Sequence, residues 1–467
     1  MTTISANPLS ESDWRPYTAT LVASPFRVPV GSTVTVTGDG YTPGSEVELA
    51  WHSVEGRYEA EGLLAFAFVG QRYERTETVV ATVVADENGQ VAGSFTVPID
   101  FGGPHDIRGR VGGVEVSQGG VSVTPVWSMT PTEGPVGTPI ELRVVGIDHR
   151  PQVNTWQLLW DNHYFGMMTG VTTRGVGVAR IRAAGPAGVH HMAAWNNSHH
   201  TAPYLGWDNC PFQDEFAAGL DFQFTVTRDE GVLPPGADDF AAFDNPMDVD
   251  NPGPGTLDLA PDRGIVSSKT MLRGAGLPPN ARLPLVWCTL VGGGILASAV
   301  GDVREWRRPL GEVRTGADGS FTMPFKIPDD RGGNHRIEIC RGSDVLAAAD
   351  FVVLPSLVSY TRQVRAGETV NIHIQGGGYR DYDKTYALTY DNSYIGYSCG
   401  GSNSGNLRFR FTATGAPGTH LLDFYPMIYR GRDELPRGVY AMPHLSYADD
   451  HPLRKVPAFR LAIEVVE

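Results

Sequence analysis

Two long blocks of this chain are copies of one another, and that constrains its fold more than any single motif. Thr155, Trp160, Asp161, Asn162, Tyr164 and Gly166 of TWQLLWDNHYFG recur 230 residues later as Thr385, Tyr390, Asp391, Asn392, Tyr394 and Gly396 of TYALTYDNSYIG. The same offset carries Gly185, Gly188 and His190 of GPAGVH to Gly415, Gly418 and His420 of GAPGTH. An earlier stretch, GDGYTPGSEVELAW from Gly38 to Trp51, matches GAGLPPNARLPLVW from Gly274 to Trp287 at an offset of 236. Gly89, Phe95, Pro98, Asp100, Gly102, Gly103 and His105 then return as Gly319, Phe325, Pro328, Asp330, Gly332, Gly333 and His335, again 230 residues on. A register held this long defines units in the order A, B, A′, B′. With roughly 100–150 residues per compact unit, 467 residues accommodate four. The boundaries expected are a tail over 1–16, A over 17–124, B over 125–228, a linker over 229–255, A′ over 256–355 and B′ over 356–467.

Within each unit the apolar period is two. Val34 and Val36 alternate with Thr33, Thr35 and Thr37; Ile140, Leu142 and Val144 repeat the pattern, as do Val370, Ile372 and Ile374. Such alternation describes strands with one face on a core and one in water. Turn-forming segments, GDGYTPG, DENG, GADG and PAG, separate them at strand-and-turn spacing. With 56 Gly, 34 Pro and only 19% charged residues, the composition favours short strands over long helices. The expected fold is all-β: four tandem immunoglobulin-like β-sandwiches arranged as an internal duplication.

The run PVGSTVTVTGDGYTPGSEVELAW, then ADENGQVAGSFTVP, then a GGPH turn, resembles the tandem immunoglobulin-like repeats of bacterial surface and secreted proteins. The resemblance covers nearly the whole chain in four copies. It implies a fold and leaves function open, because such modules serve as spacers, adhesins, sugar-binding units and accessory domains of enzymes.

Charge narrows the partners. With 37 basic and 52 acidic residues the formal net charge is -15, which repels phosphate backbones, so nucleic acid is not expected. No apolar run approaches the roughly 18–20 residues of a membrane span, and MTTISANPLSESDW lacks the regions of a secretion signal. The expected setting is nevertheless extracellular or cell-surface. Cys288 and Cys340 fall in the same repeat, where the first A unit has His52 and Arg110, so either a disulfide or a pair of buried thiols is open.

The segment Asp229–Gly255 holds seven acidic residues and no Lys or Arg, which reads as a solvated linker. The sharper alternative is a Ca2+ clip, with Asp244, Asp248 and Asp250 supplying hard oxygen ligands. A transition-metal site is a second alternative, because His163, His190 and His191 crowd one unit with Asp161 and Asp208 nearby. Against it, only His190 has a repeat counterpart, and its alternation with Met192 and Ala194 puts it on an inner face. Asp161-Asn162 and Asp391-Asn392 read as hairpin turns, since Asx residues tolerate left-handed conformations.

The B units carry about 25 residues between their Gly-x-x-Gly-x-His turn and the closing strand, far beyond an ordinary hairpin loop. The first such segment offers Trp195, Asn197, His199, His200, Tyr204, Trp207 and Asp208; the second offers Tyr425, Tyr429, Arg430, Tyr440, Tyr447 and Asp449. Flat rings beside amide and carboxylate groups suit the faces and hydroxyls of sugars; the plainer reading makes the rings a small core under each loop. No GxSxG, GxxxxGK[ST] or CxxC motif is present. The function expected is therefore a noncatalytic binding or display protein without a cofactor, taking carbohydrate or another surface protein on the B-unit segments. An enzyme or accessory subunit with a metal or carboxylate site there is one alternative, and a surface-layer or virion component another.

Overall fold

The alternating residues become the two faces of strands. Val34 and Val36 are buried while Thr33, Thr35 and Thr37 are exposed, and the triplets at 140–144 and 370–374 are buried likewise. The computed structural model describes residues 17–61, 67–150, 153–197, 203, 220–228, 236–237, 252–291, 295–296, 299–300, 304–378, 384–400, 404–430, 440–451 and 456–467. Among these no helix forms, so the all-β expectation holds.

The chain divides into two compact units. Unit 1 comprises Met1–Ala60, Val69–Gly231 and the later segment His444–Leu453; unit 2 comprises Glu61–Phe68, Val232–Pro443 and Arg454–Glu467.

Unit 1 holds sixteen strands. Those of the first sandwich are β1 (Thr20–Ser24), β2 (Arg27–Pro29), β3 (Thr33–Asp39), β4 (Glu46–Glu61), β5 (Ala67–Val84), β6 (Val91–Thr96), β7 (Gly103–Val111) and β8 (Val114–Thr124). They form a three-stranded sheet β1-β3-β6 and a five-stranded sheet β2-β8-β7-β4-β5. A single core joins the two, with Leu21, Val34 and Val36 meeting Leu49, Trp51, Ile107 and Val121. The second sandwich contains β9 (Val126–Thr130), β10 (Glu133–Gly134), β11 (Pro139–Val145), β12 (Thr155–Trp160), β13 (His163–Met168), β14 (Val176–Arg182), β15 (Gly188–Asn197) and β16 (Leu220–Val226). Its sheets are β9-β11-β14 and β10-β16-β15-β12-β13. In both sandwiches the short strand at one sheet edge, β2 or β10, runs parallel to its neighbour while the rest of the ladder is antiparallel.

Unit 2 repeats the plan. Thr256–Ala260, Lys269–Ala275 and Phe321–Lys326 face a five-stranded sheet whose centre is Asp344–Leu354, Gly333–Arg341 and Arg282–Val291. Ser356–Tyr360, Thr369–Gln375 and Leu407–Thr412 face a sheet built on Phe459–Val466, Gly418–Arg430 and Thr385–Tyr390. Each pair of sheets encloses its own core. The four sandwiches of three plus five strands are immunoglobulin-like modules. One departure concerns the expected linker: Gly236–Ala237 pairs with Phe459 and Arg460 as an added edge strand, so that stretch is not wholly a solvated tether. Asp244, Asp248 and Asp250 lie outside the described residues.

The same histidine device opens one strand in every module. His105, His190, His335 and His420 each stand two residues after a positive-φ glycine and place Nε2 2.7–2.9 Å from the carbonyl oxygen four residues earlier. In the A-type modules the ring stacks on Trp51 or Trp287 at 4.3 and 4.4 Å. The same indoles donate Nε1–H to Asp100 and Asp330 at 2.8 and 2.9 Å. In the B-type modules Nδ1 of His190 and His420 meets Asp161 and Asp391, both at 2.6 Å. Those aspartates sit at φ 47° and their asparagine neighbours at φ 64° and 63°. They are hairpin residues, as the sequence implies.

Candidate functional site

Unit 1 contains a cavity of about 480 Å³ where its two sandwiches meet. The first sandwich contributes Phe26 and Arg27 at the start of β2, Gly103 and Pro104 at the start of β7, and Ser122 to Thr124 at the end of β8. The second contributes Gly146, Asp148 and Arg150 from the turn after β11, Trp156 from β12, Asn196 from β15 and Leu220 from β16. The approach is close because the backbone there lacks side chains. A Cβ on Gly102 would stand 2.0 Å from the carbonyl oxygen of Gly146, and one on Gly103 would stand 2.2 Å from Asp148 Oδ2.

Two polar atoms on this lining have no hydrogen-bond partner although both are buried: Trp156 Nε1 and Asn196 Oδ1. Trp156 is 1% exposed. Buried polar groups are normally satisfied, and one left alone costs roughly 1–3 kcal/mol. An indole N–H only donates and an amide oxygen only accepts, so a ligand group that does both fits the pair. At the rim Phe26 is 60% exposed, a free ring face beside the polar floor.

Charge on the lining comes from Arg27, Arg150 and Asp148. Asp148 accepts from Arg150 Nε at 2.9 Å, from its Nη2 at 2.7 Å and from its backbone N–H at 2.8 Å, which fixes the turn. The neighbouring His149 is pushed down to about 4, by burial above all, so it is neutral at physiological pH. Unit 2 does not repeat these groups. Positions 230 residues on hold Gly378 for Asp148, Pro426 for Asn196 and Tyr386 for Trp156. Tyr386 donates its hydroxyl to the Pro457 carbonyl at 3.0 Å and is satisfied.

The residues expected from the first long segment fall beside this cavity or outside the described residues. Trp195 lies on β15 opposite Gln157 and is partly buried. Asn197 ends that strand opposite Thr155. His199, His200, Tyr204, Trp207 and Asp208 lie outside the described residues. The segment containing them leaves β15 next to Asn196 and rejoins at Leu220, and both of those residues line the cavity.

The second segment corrects the expectation of an exposed surface. Tyr425 is fully buried; Arg460 lies 4.5 Å from its ring centre and donates to its hydroxyl at 2.5 Å. Arg460 also pairs with buried Asp423 at 3.2 Å. Tyr429 and Arg430 are in the strand Gly418–Arg430, opposite Ala441 and Tyr440. His444–Leu453 belongs to unit 1, where Tyr447 is buried. Asp449 stays exposed and pairs with Arg180 at 3.2 Å. Its neighbour Asp450, absent from the expected residues, is fully buried and accepts five hydrogen bonds at 2.5–3.0 Å. The donors are Tyr58 Oη, Thr169 Oγ1, the Val171 and Thr172 N–H groups and Thr172 Oγ1. His444 stands 2.8 Å from Thr169 Oγ1, and burial pushes it down to about 4. The plainer reading of these aromatics, a packed core, applies here: the rings fill space because Asp450 anchors the segment.

The histidine cluster does not converge. His190 is held by Asp161 and Pro186, His191 by Asp221 at 2.9 Å, and His163 points outward on the hairpin. Among the described residues one group, His52, Glu77 and Glu115, has metal-like spacing. Its carboxylates are already occupied by Arg108 and Arg110, so a dication would have to displace two guanidinium groups. At the matching positions of unit 2 the charges reverse, Arg307 for Glu77 and Glu338 for Arg108, and these two pair at 2.5 Å. This face is therefore held by structural ion pairs. Cys288 and Cys340 are free thiols. Cys288 stands opposite Arg336, and Cys340 is four residues farther along, roughly 13 Å of strand, beyond disulfide reach. Burial pushes the Cys288 thiol up to about 12 and Cys340 up as well.

No protein-family model matches the chain, and no curated protein matches it. Solved structures match at low identity. The Escherichia coli adhesin FdeC is 13% identical over 73% of this chain and 98% of its own, with a TM-score of 0.17. The ICAM-5 ectodomain fragment D1–D4 is 12% identical over 92% and 100%, with a TM-score of 0.20. The Yersinia pseudotuberculosis adhesin InvE is 12% identical over 45% and 58%, with a TM-score of 0.19. Likenesses at these scores carry no argument, and the immunoglobulin-like assignment rests on the paired sheets and cores themselves.

Proposed function

We propose that this chain is a noncatalytic binding protein of the cell surface or extracellular space, with a carbohydrate as ligand in the cavity of unit 1. The observation that carries the reading is the unpartnered pair Trp156 Nε1 and Asn196 Oδ1. A sugar hydroxyl accepts from the first and donates to the second, and neighbouring hydroxyls of one ring can serve both. Phe26 offers its exposed ring to the apolar face of a pyranose. The cavity falls within the volume of small-ligand sites, about 300–1,000 Å³. Tyr204, Trp207 and Asp208 remain in the proposal because the segment bearing them starts and ends at the cavity lining. The second segment drops out, since Tyr425 and Tyr447 are interior.

The test is a glycan array probed with the full chain and with Trp156→Phe, which keeps a ring and removes the N–H. Saccharide binding by the parent, weakened about 2- to 10-fold in the variant, supports the reading. An array without a hit, or a hit that Trp156→Phe leaves unchanged, refutes it.

A further inference from the structure

We infer that the ligand of the unit 1 cavity is an acidic saccharide, one bearing a carboxylate, and that Arg27 is the residue that selects it. This rests on the reading above that the cavity binds carbohydrate. The chain as a whole carries a formal charge of -15, yet the ionisable side chains lining this cavity are Arg27, Arg150 and Asp148, a surplus of one positive charge. Asp148 is engaged by three donors of Arg150, so it neutralises that guanidinium and leaves the field of Arg27 uncompensated on the lining. His149 adds no charge near neutrality.

The position suits recognition. Arg27 follows the exposed Phe26 and begins β2, so a sugar ring lying on Phe26 brings its substituents alongside the guanidinium. Guanidinium binds carboxylate through two parallel N–H donors, with geometric as well as electrostatic selectivity. Trp156 and Asn196 then take hydroxyls, while Arg27 takes the group that separates an acidic sugar from a neutral one. A cationic pocket in an anionic protein also concentrates anionic ligands locally.

The experiment compares matched neutral and uronate-bearing oligosaccharides on one array, followed by calorimetry on the best probe of each class. The full chain, Arg27→Gln and Trp156→Phe are measured at low and high salt. The expected result is at least about tenfold tighter binding of the uronate probe, lost in Arg27→Gln and reduced by salt, with neutral probes unaffected by Arg27→Gln. Binding of neutral probes that depends on Trp156, without preference for uronate or effect of Arg27→Gln, overturns this inference and leaves the carbohydrate reading standing. Absence of binding to both classes overturns both.

Discussion

Replacing Asp450 by alanine removes a buried carboxylate that five donors of unit 1 surround. Hydrogen bonds to a charged acceptor contribute about 1.5–3 kcal/mol each when deleted singly, but deletions sharing one acceptor do not add. The Tyr58 and Thr hydroxyls can rotate toward other acceptors, and the Thr172 N–H belongs to an exposed residue that water reaches. The Val171 N–H cannot, because its residue is 1% exposed; an unsatisfied buried donor costs about 1–3 kcal/mol. Adding the lost anchoring of His444 and Tyr447 gives about 3–5 kcal/mol, at the upper end of single-residue effects. Hydrogen exchange read by mass spectrometry on peptides covering 165–173 and 444–451 measures it directly. Protection there is expected to fall by roughly 100- to 1,000-fold, with Asp450→Asn intermediate because it keeps one acceptor oxygen. Loss of less than about 1 kcal/mol in Asp450→Ala would refute the view that this carboxylate holds the segment in place.

Other expectations concern the repeated devices. His420 is raised above its ordinary value, chiefly by its hydrogen bond to Asp391. The stability it contributes is therefore complete below the unfolded value of 6.5 and is lost as pH rises through the higher folded value; thermal melts from pH 6 to pH 9 should show this, and Asp391→Asn should flatten it. Gly415→Ala should cost about 2–4 kcal/mol, because φ is +101° and the new Cβ would stand 2.5 Å from His420 Cε1,; denaturant melts report it, and Gly418→Ala, with open space at its Cβ, is the comparison. Cys288 and Cys340 should resist a soluble disulfide reagent at pH 8 until the protein unfolds. Rapid native labelling of either would contradict their burial and raised pKa values.

The fold was legible because period two is a property of one strand. Val34 and Val36, or Ile372 and Ile374, must share a face whatever covers it. The hairpins were legible for a similar reason: Asp161-Asn162 needs only local left-handed geometry. The site was not, because its parts are ordinary alone. Trp156 and Asn196 sit on β12 and β15 as any strand residues do, and the partners they lack become visible only when β2, β7 and the turn after β11 close around them. A faint signal existed in the departures from the repeat, Asp148 against Gly378 and Asn196 against Pro426. The misreading of Tyr425 and Tyr447 has the same origin. An aromatic in a long connection looks exposed until the cover is known, and here the cover for Tyr447 is unit 1.

The membership of His444–Leu453 in unit 1 has a consequence for biosynthesis. The early part of that unit leaves the ribosome well before the residues that finish it, by about 10–40 s at roughly 5–20 residues per second. During that interval the Val171 and Thr172 amides wait with the Asp450 position empty, so a nascent first half passes through a stage that chaperones or proteases can sense. Gene fragments cut at the acidic junction would remain at that stage, however faithfully the two halves repeat.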